Sequence, residues 1–238
     1  MTRERGRRAL PAHALGFRRR LLGWYTRHQR PLPWRRTRDP YAVLVSEIML
    51  QQTQVARVED YWPRFLRRYP TVDALAAASA DAVHESWAGL GYYARARNLH
   101  AAAQEVVRDH GGAFPSEPER LRELPGIGRY TAAAVASIAF GTDVGTVDTN
   151  VARVLGRVFR IRGRAKSAAR ARRTWHLVDA LVPRGRAGDW NQALMDLGAT
   201  ICTARAPRCP ACPVRTTCAS APIAARRTRR YAPSSPAR

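Results

Sequence analysis

Lysine is nearly absent from this 238-residue chain: Lys166 is the only one, and the other 40 basic side chains are arginines. Long apolar runs are missing as well. None approaches the ~18 residues of a membrane span, and no apolar core follows the Arg-rich start as a signal peptide requires. Neither membrane insertion nor export is therefore expected. Convincing period-2 alternation is also lacking, which argues against a sheet-built fold. Acid is scarce, with 18 Asp+Glu against 41 Lys+Arg, a net charge of +23 and a pI near 11.5. Such a balance places the chain among polyanion binders, with nucleic acid the first partner to consider. An Arg-biased, Ala-rich composition also follows from genome base composition, so charge alone is a pointer. Cysteine is confined to four residues between Cys202 and Cys218. That is too local for a dispersed disulfide framework and reads as a metal or cluster site in a reducing compartment. The expected location is the cytoplasm, at the nucleoid.

What is present suits a buried core. Apolar residues make up 45% of the chain, and its length fits one compact domain or two small ones sharing a cleft. Residues 1–20 carry seven arginines and one glutamate, and residues 219–238 carry five arginines and no acid, so both ends read as basic, mostly disordered arms. Between them helical signals dominate and the expected class is all-α. One helix is expected over Tyr41–Val58, from Leu44, Ile48 and Val55 at helical spacing behind Pro40, and another after Tyr61 that ends near Tyr69-Pro70. Short helices follow over Val72–Ala77 and Ala80–Ala88, opened by polar caps such as Thr71 and Ser79. Further helices are expected over Ala94–His110, Glu117–Glu123, Tyr130–Phe140, Val151–Phe159, Ala168–Leu181 and Trp190–Cys202.

Two local patterns carry chemistry. Leu124-Pro-Gly-Ile-Gly-Arg-Tyr places Gly126 and Gly128 between two helices, with Arg129 opening the second. Glycines let a backbone come close to a partner, and unpaired N–H groups at a helix start make an anion site, here one for a DNA phosphate gripped without reading sequence. An ordinary helix–turn–helix connection accounts for the same residues. The second pattern is C-x6-C-x2-C-x5-C at Cys202, Cys209, Cys212 and Cys218, stiffened by Pro207, Pro210 and Pro213. Four thiolates in one loop suit a tetrahedral zinc or a cubane cluster, and spacing alone leaves both open. With no histidine nearby and every ligand used internally, the site reads as structural, with electron transfer as the alternative.

With these patterns in hand, the chain resembles the helix–hairpin–helix DNA glycosylases of the endonuclease III superfamily, and within them the catalytic core of MutY-type A/G-specific adenine glycosylases. The matching stretches are LPW at 32–34, SEIMLQQTQVARV at 46–58, GLGYYARARNLH at 89–100, LPGIGRYTAAAV at 124–135, VDTNVARVL at 147–155 and NQALMDLGATIC at 191–202. The resemblance covers roughly residues 15–220. It implies a two-lobed helical fold: a basic arm over 1–14, a cluster-side lobe from 15–36 and 146–201, a six-helix lobe over 37–145 with its hairpin at 121–135, a [4Fe–4S] loop over 202–218 and a basic tail over 219–238. It also implies a monomer with double-stranded DNA, carrying a mismatched or damaged pair, across the mouth of a cleft.

The chemistry implied is release of a mispaired adenine, opposite G or 8-oxoguanine, after the nucleotide is extruded. Adenine departs poorly unless protonated, and the sugar develops oxocarbenium character. Glu47 lies in an apolar helix where burial favours a retained proton, and the resemblance places the family's acid there; an exposed surface glutamate is the plainer alternative. Asp148 precedes a helix, a position that favours a carboxylate able to stabilise a cationic sugar and also suits a simple N-cap. The family's catalytic aspartate falls there, and Asn150 matches a residue that organises it. Tyr130 occupies the position where strand-cutting relatives carry a Schiff-base lysine, so a monofunctional enzyme is expected. By resemblance Leu32, Trp34, Arg35 and Gln192 hold the adenine, while Gln52 and Tyr92 fill or wedge the duplex. For Trp34 and Tyr92, core packing is the alternative. The chain stops soon after Cys218, so no Nudix-like second domain is expected and preference for 8-oxoguanine is expected to be relaxed or supplied elsewhere. The same length suits thymine/uracil mismatch glycosylases, which generally lack a counterpart of Glu47; a non-catalytic DNA-binding module is the remaining alternative.

Overall fold

The structure, a computed structural model, describes residue 10, residues 13–164 and residues 167–221. Eleven α-helices order these residues: α1 (Ala14–His28), α2 (Pro40–Leu50), α3 (Val55–Arg68), α4 (Val72–Ala76), α5 (Ala80–Ser86), α6 (Ala94–His110), α7 (Pro118–Leu121), α8 (Arg129–Ala139), α9 (Thr149–Val158), α10 (Ala168–Leu181) and α11 (Ala187–Thr200). Short 3-10 turns cover Pro33–Arg36, Cys209–Ala211 and Arg215–Thr217. The fold is all-α, with no strand among the described residues. None of their helices is long and apolar enough to cross a membrane.

These helices form two compact units. The first comprises Arg30–Val144 with Gly185–Gly188. Asp39 opens its α2, accepting from the N–H groups of Tyr41 (3.1 Å) and Ala42 (3.2 Å) with Pro40 in the first turn, a cap worth about 1 kcal/mol. Every residue of α2 from Tyr41 to Met49 is buried, so this helix is the spine of the unit. It packs against α3, α6 and α8, and α4 and α5 close over α6. Leu44, Met49, Leu75, Trp87, Leu99 and Leu121 fill the core. Thr71 and Ser79 cap α4 and α5 through Ala74 N and Ala82 N, as the sequence predicts.

The second unit joins the described residues up to Gln29 with those of Gly145–Arg184 and those from Asp189 onward. Phe17, Leu21, Leu155, Leu181, Trp190 and Leu194 make its core, with Phe17 edge-on to Trp190 at 5.5 Å. Residues 30–36, grouped above with this lobe, pack instead with the first unit, where Leu32 and Trp34 join its core.

Two expectations need correction. The helix expected over Tyr41–Val58 is broken: α2 ends at Leu50, α3 starts at Val55, and Gln52 between them adopts a left-handed backbone (φ 56°). The interruption has no Gly or Pro to announce it. Residues 14–20, read as part of a disordered arm, are helical because Ala14, Phe17 and Leu21 form a fully buried stripe. Arg18 of that stretch is itself structural, its Nε donating to Leu181 O and its Nη2 to Ala180 O, both at 2.6 Å, where α10 runs out of internal partners. Residues 1–9 and 222–238, which hold most of the two basic arms, lie outside the described residues.

Candidate active site and cysteine loop

In the first unit, Glu47 sits on α2 between Ser46 and Ile48 and is only 6% exposed, so the surface-glutamate alternative does not hold. Leu32 and Trp34 are buried to the same degree, Trp34 meeting Trp62 edge-on at 6.3 Å, which gives both a packing role. Arg35 is half-buried and donates from Nη1 to Arg30 O at 3.2 Å. Gln52 and Tyr92 are exposed, Tyr92 at 59%, and both carry positive φ (56° and 49°). Core packing is thereby excluded for Tyr92.

The residue that sequence reasoning missed here is Arg95. It occupies the buried stripe of α6 with Leu99, Ala102, Ala103 and Val106, a position where an apolar residue is the rule. Its Nη1 donates to the carbonyls of Ile48 (3.1 Å), Met49 (2.8 Å) and Gln51 and to Thr53 Oγ1 (3.0 Å). Its Nη2 donates to Leu90 O (3.2 Å) and Gly91 O (3.0 Å). The guanidinium thus ends α2 and forces the break at Gln52. An arginine inside an apolar helical stripe was the available signal.

The hairpin joins α7 to α8. Gly126 has φ +73°, and a Cβ there would lie 2.5 Å from Asn98 Cβ, so the turn admits only glycine. Gly128 has an ordinary φ of −81°, and nothing of the chain lies within 4 Å of a Cβ built on it. No side chain caps α8 at Gly128, and Gly126, Gly128 and Arg129 are exposed, while Tyr130 is half-buried. An exposed helix start without a side-chain cap is the kind of place that can hold a phosphate oxygen on backbone N–H groups.

In the second unit, Asp148 caps α9, accepting from Val151 N at 2.6 Å and from Asn150 Nδ2 at 3.0 Å. Asn150 is held in turn: its Oδ1 accepts from Arg153 Nη2 at 2.6 Å. Arg153 also donates from Nη2 to Gly198 O and from Nε to Cys202 O, both at 2.9 Å. One turn on, Arg157 Nη1 donates to Thr203 O (2.8 Å) and reaches Cys202 Sγ (3.3 Å). This close approach of α9 to α11 depends on Gly198, where a Cβ would come within 2.6 Å of Asn150 Cβ. Sequence reasoning missed Arg153 and Arg157; with Asn150 they fall on one face of α9, which looks like any solvated face. Gln192 lies on α11, its Oε1 accepting from the Tyr25 hydroxyl at 3.1 Å.

Cys202, Cys209, Cys212 and Cys218 are all free and half-buried. Burial pushes the Cys212 thiol up to about 11, with the N–H of Val214 opposing it and the charges of the other three cysteines adding to it. Burial raises Cys218 likewise. The four sulfurs therefore stand within each other's fields. Among the described residues, however, no three His, Cys, Asp or Glu side chains are grouped to hold a single metal ion. The donor set is all-thiol, a chemistry that suits a tetrahedral zinc and an iron–sulfur cluster alike.

Comparison with known proteins agrees with this geometry. Residues 45–179 match the family model of the HhH-GPD superfamily base excision DNA repair proteins. Adenine DNA glycosylase of Mycolicibacterium smegmatis is 44% identical over 218 residues, covering 89% of this chain and 74% of that protein. The chain belongs to the adenine DNA glycosylases of the HhH-GPD superfamily. Human adenine DNA glycosylase is 49% identical over 216 residues, 87% of this chain. The chain spans about two fifths of the human protein's length, 40%, and 64% of the Mycobacterium tuberculosis adenine DNA glycosylase. Among solved structures, a thermostable thymine-DNA glycosylase superposes with a TM-score of 0.81 at 32% identity, covering 88% of this chain and 97% of that one. An endonuclease III–DNA complex, at 24% identity and a TM-score of 0.75, shares the helix–hairpin–helix glycosylase fold.

Proposed function

We propose that the chain is a monofunctional DNA glycosylase that releases adenine mispaired with G or 8-oxoguanine by hydrolysis of the N-glycosidic bond. The observation that carries this reading is Glu47, a carboxyl buried in the spine of its unit. A carboxyl held out of water at this place is suited to hand a proton to the departing base. Asp148, with both oxygens engaged by Asn150 and the first turn of α9, supplies the fixed negative charge that a cationic sugar needs. Tyr130 has no amine with which to form a Schiff base, so the product is an abasic site on an uncut strand. Gly126, Gly128 and Arg129 hold the DNA backbone, and Gln52 and Tyr92 enter the duplex.

The four cysteines would hold a [4Fe–4S] cluster, which when bound cross-links their loop; the all-thiol donor set and the relationship to the adenine DNA glycosylases support it. Visible absorption distinguishes the cluster from zinc, since zinc thiolates are colourless there.

The likeness to a thymine-DNA glycosylase supports a second reading, release of mispaired thymine or uracil. Single-turnover assays on duplexes carrying A opposite 8-oxoguanine, A opposite G, T opposite G and U opposite G, each followed by alkali, decide between them. Adenine release that disappears in Glu47→Gln is expected. Release of T or U alone establishes the second reading, and no release from any duplex leaves a DNA-binding module.

A further inference from the structure

We propose that Arg95 is a positioning residue that locks the Gln52 turn and the Tyr92 turn into one wedge, and so acts on duplex opening rather than on bond cleavage. The inference rests on the reading of the chain as a protein that extrudes a nucleotide from DNA.

Three observations carry it. Among the described residues only three that are not glycine have positive φ, and two of them are Gln52 and Tyr92. Both are exposed, so neither conformation is imposed by burial of its own side chain. Finally, the acceptors of Arg95 bracket both: Gln51 O and Thr53 Oγ1 stand on either side of Gln52, while Leu90 O and Gly91 O immediately precede Tyr92. The guanidinium also lies 5.4 Å from the centre of the Tyr92 ring and 5.5 Å from that of Trp87, and so seats the tyrosine directly. An arginine needed only to end α2 would have no use for the Leu90 and Gly91 carbonyls. Two separate nitrogens serve two separate turns, a task for a planar fork that a lysine ammonium cannot reproduce.

A left-handed backbone at a side chain with a Cβ persists only where its surroundings hold it. Gln52 and Tyr92 are thus held ready before DNA arrives.

The test reads duplex opening by stopped-flow fluorescence. The probe is a duplex with 2-aminopurine beside a 2′-fluoro-arabino adenosine opposite 8-oxoguanine, whose fluorine disfavours a cationic sugar and prevents cleavage. Arg95→Lys should slow opening at least tenfold, as should the double variant Gln52→Ala/Tyr92→Ala. Adding Arg95→Lys to that double variant should change the rate less than twofold, because the wedge on which it acts is gone. Losses that multiply, a further tenfold in the triple variant, overturn the proposal. If melting shows Arg95→Lys unfolded at the assay temperature, Thr53→Val replaces it. Removing that one acceptor should slow opening two- to fourfold with the same loss of additivity, and unchanged opening overturns the proposal. Opening is read without cleavage, so a wild-type chain that opens the duplex and releases no adenine refutes the activity and leaves this inference standing. Normal opening in a folded Arg95→Lys chain that still releases adenine does the reverse.

Discussion

The ends of α2 and α11 make an instructive pair. At each, carbonyls at and just beyond the helix end are taken up by arginine from another helix: Arg95 of α6 on Ile48, Met49 and Gln51, and Arg153 and Arg157 of α9 on Gly198, Cys202, Thr203 and Ala204. Cationic donors are the natural partners of a helix C-terminus. What differs is where the remaining donors go. Arg95 spends them on a second backbone turn and holds exposed side chains in left-handed conformations. Arg153 spends one on Asn150 Oδ1, and so reaches the carboxylate of Asp148 through a side-chain chain. Part of the +23 charge is therefore interior scaffolding, and only the rest is free to meet a polyanion.

The largest effect should come from cutting that chain at its functional end. Asp148→Asn should lower single-turnover adenine release on the order of 10³-fold, because the charge facing the developing cation is gone. The asparagine still caps α9 through its oxygen, but its amide then meets the Asn150 Nδ2, donor against donor. Stability should fall by only about 1 kcal/mol in urea denaturation. A loss of several kcal/mol would show that Asp148 is chiefly a cap. Arg153→Met breaks the chain at the other end and strands Asn150 Oδ1 and Gly198 O together, leaving Cys202 O only the longer bond from Arg157 Nη1 at 3.3 Å. Here stability should drop by roughly 2–3 kcal/mol, release should fall about tenfold, and visible absorbance per chain should decline as the Cys202 loop loosens. Unchanged release in a folded Arg153→Met chain would make the chain from Asp148 to Cys202 a packing feature alone.

How much of this was legible in the sequence follows from the range of the forces involved. Helices α4, α5, α6 and α10 stand nearly where periodicity and polar caps put them, since Thr71, Ser79 and Ser167 act on N–H groups three residues away. The break between α2 and α3 could not be read from Gln51-Gln-Thr-Gln, because the donor that creates it is Arg95, 44 residues distant from Gln51. The stripe of α1 was hidden for a related reason: a tally of arginines overlooks Ala14, Phe17 and Leu21 between them. At the site, the cap at Asp148 was legible because it acts locally, whereas Asn150 was singled out by the family resemblance alone. Arg153 was not, since nothing within α9 says that its face looks onto the bare end of α11.

The hairpin sharpens the contrast by supplying a turn that glycine shapes. Gly126 and Gly128 sit two residues apart but do different work, and alanine separates them. Gly126→Ala must relieve a Cβ placed 2.5 Å from Asn98 and must also hold φ near +73°, so it should cost about 2 kcal/mol of stability and weaken duplex binding through a displaced turn. Gly128→Ala meets nothing in the chain and keeps an ordinary φ, so its melting temperature should stay within about 1 °C of wild type. If the open space before α8 is where a phosphate approaches, the added methyl still lies in that path. Duplex affinity should then fall three- to tenfold, about 0.7–1.4 kcal/mol, equally for matched and mismatched duplexes because backbone contacts carry no sequence information. Affinity unchanged in Gly128→Ala, measured at fixed salt, would mean that the hairpin is an ordinary connection and that the DNA is gripped elsewhere.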